Sequence, residues 1–144
     1  GIVIGLGAHR AAGHTHYKDD KMHLGYMGRL CYAQDVTAVT GACLLVSRAQ
    51  YDEVGGLDEE FRVAFNDVDF CLKLRHAGYL NVFTPFAELY HYESKTRGME
   101  EGEKQKRFQQ EVDLFRQKWK ADLDAGDPYF NPNFSLDYSD YTIK

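Results

Sequence analysis

The sequence lacks the features that identify several common classes of protein. It has no cluster of lysine and arginine, and its net charge of -5 over 144 residues leaves little to neutralise a row of phosphates. Its longest apolar runs, such as residues 42–46, are far shorter than the roughly 20 residues that cross a bilayer. We therefore expect neither a nucleic-acid-binding protein nor a transmembrane segment.

Cysteine is also scarce. Cys31, Cys43 and Cys71 are odd in number and widely spaced, with no C-x-x-C pair that would suggest a zinc or redox site. We expect reduced thiols and a cytoplasmic protein, with a position at the inner face of the membrane left open. The chain starts inside the apolar run Gly-Ile-Val-Ile-Gly-Leu-Gly, without a basic segment or a cleavage site, which predicts a piece of a longer protein.

Apolar residues make up 44% of the chain, which is enough for one compact core. Runs of β-branched and apolar residues predict buried strands at four places, which are residues 2–6, 36–46, 79–84 and 87–92. We expect residues 7–31 to form a loop, because they contain no comparable run.

Three helices are predicted from capping residues and periodicity. Ser47 begins the first helix through a capping box, and Gly55 with Gly56 ends it. Asn66 is a good N-cap for a second helix over residues 67–77. Apolar side chains repeat every three or four residues over residues 100–123, which predicts one long amphipathic helix. We expect the aromatic tail after it to pack across a surface without regular structure.

Three consecutive segments resemble motifs of one enzyme family. They are Val-Thr-Gly-Ala-Cys-Leu-Leu-Val-Ser-Arg at residues 39–48, Val-Gly-Gly-Leu-Asp-Glu-Glu-Phe at 54–61 and Asn-Asp-Val-Asp-Phe-Cys-Leu-Lys-Leu-Arg-His-Ala-Gly-Tyr at 66–79. In type, order and spacing these segments are similar to the family 2 inverting glycosyltransferases. His-Tyr-Glu-Ser-Lys-Thr-Arg-Gly at 91–98 and Asp-Pro-Tyr-Phe-Asn-Pro-Asn at 127–133 further resemble the rhamnosyltransferase-like and O-antigen-type members.

The resemblance implies an α/β chain that is the C-terminal part of a GT-A fold, with a mixed sheet, flanking helices and a long C-terminal amphipathic helix. Residues 1–98 would be the acceptor-binding half, and residues 99–144 the helix and tail packed on it. The nucleotide-binding half with its metal-binding D-x-D motif would lie elsewhere, because Asp-Val-Asp at 67–69 matches the later base motif instead. We expect this piece to be inactive alone.

The same resemblance assigns the base of the reaction. An inverting transfer needs a carboxylate beside the acceptor hydroxyl, and Asp67 stands at that position of the motif. A helix start also stabilises a negative charge, so a purely structural Asp67 is the alternative. Asp69 is a second catalytic candidate, for which a structural role is the stronger alternative.

Further residues of the resemblance are assigned to binding. Gly41, Asn66 and Arg97 are substrate-binding candidates, with a solvated surface charge as the alternative for Arg97. His91 is the candidate metal ligand, with a hydrogen-bonded strand histidine as the alternative. The implied partners are a nucleotide-sugar donor, with rhamnose preferred, and a glycan or lipid-linked acceptor. Mg²⁺ or Mn²⁺ is expected for the full-length enzyme, and self-association is left open.

Two other functions compete with this hypothesis. A domain that binds glycan or protein without turnover is one alternative. The other is metal binding by a histidine loop, since His14 and His16 alternate and His9 and His23 lie nearby. We see no carboxylate or cysteine at a recognised spacing from these histidines, so we expect them to be acceptor-side loop residues instead.

Overall fold

The computed structural model describes residues 1–90 and 102–144, which form short strands and longer helices. The strands are β1 (Ile2–Ile4), β2 (Ala12–His14), β3 (Gln34–Val36) and β4 (Asn81–Phe83). The α-helices are α1 (Arg48–Glu53), α2 (Asn66–His76), α3 (Glu103–Lys118) and α4 (Lys120–Ala125), and 3₁₀ turns occupy Tyr26–Gly28 and Gly41–Cys43. None of the helices in the described residues is long and apolar enough to cross a membrane.

The strands form two antiparallel pairs. β1 pairs with β2, β3 pairs with β4, and the Ile2 N–H donates to the Ala38 carbonyl at 2.8 Å, which joins the two pairs. The α/β class is therefore confirmed, but the described strands do not form the mixed sheet that we predicted. β2 was missed because Ala-Gly-His has low strand propensity and pairs only through its hairpin with β1.

Two predicted strands are wrong in part. The apolar run at residues 36–46 leaves the sheet after Val36 and turns at Gly41–Cys43, where the side chain of Thr40 accepts from the Ala42 N–H. Residues 87–90 form no strand, and the last two residues of that prediction lie outside the described residues. A run of apolar residues alone does not distinguish a strand from a buried loop.

The first two helices begin and end close to the predicted residues. The Ser47 side chain accepts from the Gln50 N–H at 3.2 Å at the start of α1, and Gly55 follows its end with φ 77°. Gly78 follows α2 with φ 91°, a left-handed conformation that costs glycine little. These boundaries depend on neighbours in sequence, which is why the sequence predicts them.

The long helix is divided in two at Trp119. There the backbone leaves helical geometry, with φ -106° and ψ 25°, so that α3 ends and α4 begins. The indole N–H of Trp119 donates to Asp69 of α2 at 2.9 Å, and both residues are buried. This contact coincides with the break, whereas periodicity alone predicts an uninterrupted helix.

α2 and α3 form the centre of the core. Val68, Cys71 and Leu72 of α2 pack with Val112 and Phe115 of α3 in one buried cluster. Across the helix interface Asp69 is 0% exposed, and Lys118 approaches its Oδ1 atom to 2.7 Å. A buried charge is costly unless it is paired, so these contacts decide how the two helices pack.

We predict that Trp119→Phe lowers the free energy of unfolding by about 1.5–3 kcal/mol, because a buried carboxylate loses a neutral donor. Urea unfolding followed by circular dichroism measures this loss. In an Asp69→Asn background the same change should cost clearly less, since the two side chains are coupled. Tyr79→Phe is the control, because its hydroxyl donates to Glu53 at the surface. Additive losses in the double variant would contradict the assigned interaction.

Candidate active site

A buried carboxylate from α3 holds the segment that leads into α2. Glu111 is 2% exposed and accepts backbone N–H bonds from Arg62 at 3.0 Å, Val63 at 2.9 Å and Ala64 at 2.8 Å. Arg107 donates to the same carboxylate at 3.0 Å. Burial acts to raise the pKa of Glu111, but these donors outweigh it and the pKa lies below its ordinary value. Glu111 therefore fixes the backbone just before α2.

The helix itself begins at an unusual turn. Phe65 is the N-cap residue, with φ 65° and ψ 0°, and no side chain caps the helix there. The predicted N-cap Asn66 is instead the first residue of the helix, where its Oδ1 accepts from the N–H of Asp67 at 2.8 Å. The Phe65 ring stacks at 5.0 Å on Phe115 and at 5.9 Å on Phe108. This packing holds a left-handed turn that a non-glycine residue adopts only at a cost.

Asp67 lies at the half-buried start of α2. Its Oδ2 accepts from the Gly41 N–H at 2.8 Å, and its Oδ1 accepts from the Val68 N–H at 2.9 Å. Each of these bonds occupies one acceptor site, and a carboxylate has about four such sites. The side chain is thus fixed in position with acceptor sites to spare.

Gly41 approaches Asp67 closely enough that a side chain would disturb it. A Cβ atom at position 41 would lie 3.2 Å from the Cβ of Asp67. The turn Gly41–Cys43 presents its first N–H to the carboxylate. Cys43 of this turn lines a neighbouring cleft of about 450 Å³ with Thr40, Leu44 and Val82, and Asp67 is not among its lining residues. The structure therefore brings together the candidates Gly41, Asn66 and Asp67, whose roles in substrate binding and catalysis stay predictions.

Asp69 faces away from this surface. Its carboxylate has no exposed area and receives the indole N–H of Trp119 and the ammonium group of Lys118. Lys118 also donates to Asp58 of the Gly-Gly-Leu-Asp turn at 2.7 Å, and this bond lowers the pKa of Asp58. These contacts account for Asp69 as a structural residue, and its predicted part in catalysis stays untested.

Two assigned residues lie between residues 90 and 102, which the structure does not describe. His91, the candidate metal ligand, and Arg97, the candidate for substrate binding, fall outside the described residues. Both assignments stay predictions. Glu111 was missed by the sequence reasoning, because nothing local marks one glutamate of α3 as the partner of a loop 47–49 residues away.

Known proteins similar to this chain are much longer than it. The chain is 50% identical over 146 residues to uncharacterized protein y4gI of Sinorhizobium fredii, which covers all of this chain and 16% of that protein. It is 28% identical over 145 residues to O-antigen biosynthesis protein RfbC of Myxococcus xanthus, again over the whole chain but only 11% of the relative.

A third similarity covers part of the chain. Over 60 residues, or 42% of the chain, it is 40% identical to N-acetylglucosaminyl-diphospho-decaprenol L-rhamnosyltransferase of Mycobacterium tuberculosis, of which this covers 20%. No family model matches the chain, and no solved structure matches it. The names of the rhamnosyltransferase and of the O-antigen biosynthesis protein suggest a glycosyltransferase family. The GT-A fold itself stays a prediction.

We predict that Glu111→Gln lowers the free energy of unfolding at neutral pH by about 1–3 kcal/mol, because an amide cannot accept all the donors of the carboxylate. The folded-state pKa lies below the ordinary 4.5, so the charge stabilises the folded chain above that pH. This contribution is lost as the pH falls through the lower folded-state value. The difference between variant and wild type should therefore shrink in acid.

Urea titrations at a series of pH values down to about pH 3 measure this difference. Glu103→Gln is the matched control, because Glu103 lies exposed in the first turn of the same helix. The control should change the free energy of unfolding by no more than about 0.5 kcal/mol at any pH. If Glu111→Gln changed the free energy of unfolding no more than Glu103→Gln does, the loop before α2 would not depend on this carboxylate.

Proposed function

We propose that this chain is the acceptor-side part of an inverting glycosyltransferase in which Asp67 is the general base. The observation that carries the proposal is the placement of the Asp67 carboxylate, fixed by the N–H groups of Gly41 and Val68 at the half-buried start of α2. Two of the three family-like motifs meet at this point, because Gly41 belongs to the first and Asp67 to the third. The names of the described relatives support the same class of enzyme.

The chemistry follows from what a fixed carboxylate can do. The acceptor hydroxyl would donate a hydrogen bond to a free acceptor site of Asp67, which takes the proton as the hydroxyl oxygen attacks the anomeric carbon. The bond from that carbon to the nucleoside diphosphate breaks on the opposite face, so the configuration inverts. Asp67 acts by position, since a base helps only within hydrogen-bond reach of the proton.

The described residues beside Asp67 do not form a set of ligands for the metal that is predicted for the full-length enzyme. Among the described residues, the carboxylate of Asp69 is turned into the core, so Asp-Val-Asp at 67–69 presents one carboxylate and not two. Among the residues that the structure describes, a group of side chains that could hold an ion lies in the loop after β2. The Mg²⁺ or Mn²⁺ expected for the full-length enzyme is assigned to His91 and to the D-x-D motif of the other half, so it stays a prediction, and no step of the proposal uses a metal.

The donor and acceptor are proposed from the relatives. One relative is named a rhamnosyltransferase acting on a diphospho-decaprenol-linked sugar, and another is named for O-antigen biosynthesis. We therefore favour transfer of rhamnose, or a similar deoxyhexose, from a nucleotide donor to a lipid-linked or polysaccharide acceptor. A domain that binds glycan without turnover is the competing hypothesis, and the experiment on Asp67 separates the two.

We predict that Asp67→Asn in the full-length protein lowers kcat about 100- to 10,000-fold, because the general base is lost while the shape of the side chain is kept. Transfer of sugar from a labelled nucleotide donor measures kcat and KM, and KM should change little. Asp113→Asn, an exposed carboxylate on α3, is the control and should retain normal kcat.

Folding of the Asp67 variant is checked separately, since the change also weakens the bond to Gly41. Its urea midpoint should stay close to that of the control. Near-normal kcat with an intact fold would remove Asp67 from the role of base. Absence of transfer in the wild type with retained glycan binding would favour the binding module instead.

The chain alone should bind a nucleotide-sugar weakly, because we assign the donor site to a different part of the enzyme. Calorimetry with UDP- or dTDP-linked sugars should give no saturable heat at micromolar concentrations. The full-length protein, measured under the same conditions, serves as the positive control. Micromolar affinity of the chain alone would mean that it contains the donor site.

A further inference from the structure

The loop after β2 brings two imidazoles and a carboxylate to one point. The Oδ2 atom of Asp19 lies 2.9 Å from Nδ1 of His16 and 3.1 Å from Nδ1 of His23. The three ligand atoms all lie within 4.8 Å of one another. Asp19 is the carboxylate that the sequence reasoning did not recognise, because His-x-x-Asp-x-x-x-His is not a familiar ligand spacing.

Nδ1 of His23 is the ring atom that lies in this site. The N–H of Gly25 approaches this nitrogen to 3.2 Å, and Oδ2 of Asp19 lies 3.1 Å from it. A bound cation takes the place of the proton or the N–H donor at this nitrogen, because coordination uses the lone pair of a deprotonated imidazole nitrogen.

His16 is held rigidly before any ion binds. Its side chain is 5% exposed, its ring packs at 5.2 Å against Tyr141, and its backbone N–H donates to the Ser139 carbonyl at 2.8 Å. Its Nε2 accepts from the N–H of Tyr26 at 3.4 Å, so Nδ1 faces Asp19 at 2.9 Å and releases its proton when it coordinates an ion. A ligand fixed in this way loses little conformational entropy when it coordinates an ion.

The other two ligands leave the site open on one side. The side chain of Asp19 is 29% exposed and that of His23 is 52% exposed, so an ion can enter from solvent. Ligands on a metal with bonds of about 2.0–2.2 Å lie roughly 3.0–3.5 Å apart. The distances from Asp19 to His16 and His23 are close to this range, so small rotations of the side chains would complete the site.

We propose that His16, Asp19 and His23 bind a divalent first-row transition-metal ion, with the remaining coordination positions open to water or a ligand. Imidazole nitrogens select ions such as Zn²⁺ over Mg²⁺ or Ca²⁺, which prefer oxygen. The bound ion ties residues 16–23 to the C-terminal segment through His16, Ser139 and Tyr141. This site is separate from Asp67 and does not depend on the proposed glycosyl transfer.

Calorimetry of the chain with Zn²⁺ alone should show one equivalent bound, and millimolar Mg²⁺ should not compete. Asp19→Asn and His23→Ala should each weaken binding by at least about tenfold. His76→Ala is the matched control, because His76 also contacts a carboxylate at 2.9 Å, that of Asp122, but without a second histidine. The control should bind Zn²⁺ as the wild type does.

Two further measurements separate a built site from loose surface binding. Co²⁺ in place of Zn²⁺ should give visible ligand-field absorption in the wild type and the control, and lose it in both ligand variants. Zn²⁺ should raise the Tm of the wild type and not of the ligand variants, since it binds the folded chain. Circular dichroism verifies that the variants fold. Zn²⁺ affinity that is unchanged in both ligand variants would overturn the proposal.

Discussion

Two buried carboxylates, pointing in opposite directions across one helix interface, determine how α2 and α3 pack. Asp69 extends from α2 to the end of α3, where it meets Trp119 and Lys118. Glu111 extends from α3 to the backbone of residues 62–64, just before α2 begins. An unpaired carboxylate in either place would cost several kcal/mol, so a shift of one helix along the other is strongly unfavourable. The apolar contacts hold the two helices together, and the two carboxylates fix the position of one helix along the other.

The position of Asp67 is a consequence of that register. Each residue of a helix turns the chain by about 100°, so Asp67 and Asp69 point about 200° apart. When Asp69 enters the core, Asp67 must face outward, toward the Gly41 turn that receives it. An Asp-x-Asp sequence within a helix therefore cannot present both carboxylates on one side. Because Asp-Val-Asp at 67–69 begins a helix, only the carboxylate of Asp67 faces outward.

The sequence predicts those parts of the fold that depend on neighbours along the chain. The cap at Ser47, the stops at Gly55 and Gly78 and the start of α2 near Asp67 all follow from local rules. The pairing of Gly41 with Asp67 spans 26 residues, and that of Asp69 with Trp119 spans 50. No local pattern encodes such contacts. The family resemblance identified Gly41 and Asp67 as candidate site residues. Glu111 and Asp19 belong to no local pattern or family motif, so the sequence did not predict their roles.

β1 explains how the candidate base and the histidine loop can belong to one small chain and remain independent. Its side chains alternate, so Ile2 and Ile4 pack into the cluster around α2 and α3, while Val3 packs with Phe130 and Tyr141 of the C-terminal segment. Asp67 depends on the first of these clusters, and His16 rests against Tyr141 of the second. An ion bound in the loop would therefore stabilise the tail cluster first. An effect on Asp67 would pass through the backbone of β1, which both clusters hold in place, or through Arg75 of α2, whose guanidinium lies 5.9 Å from the ring of Tyr129 in the C-terminal segment.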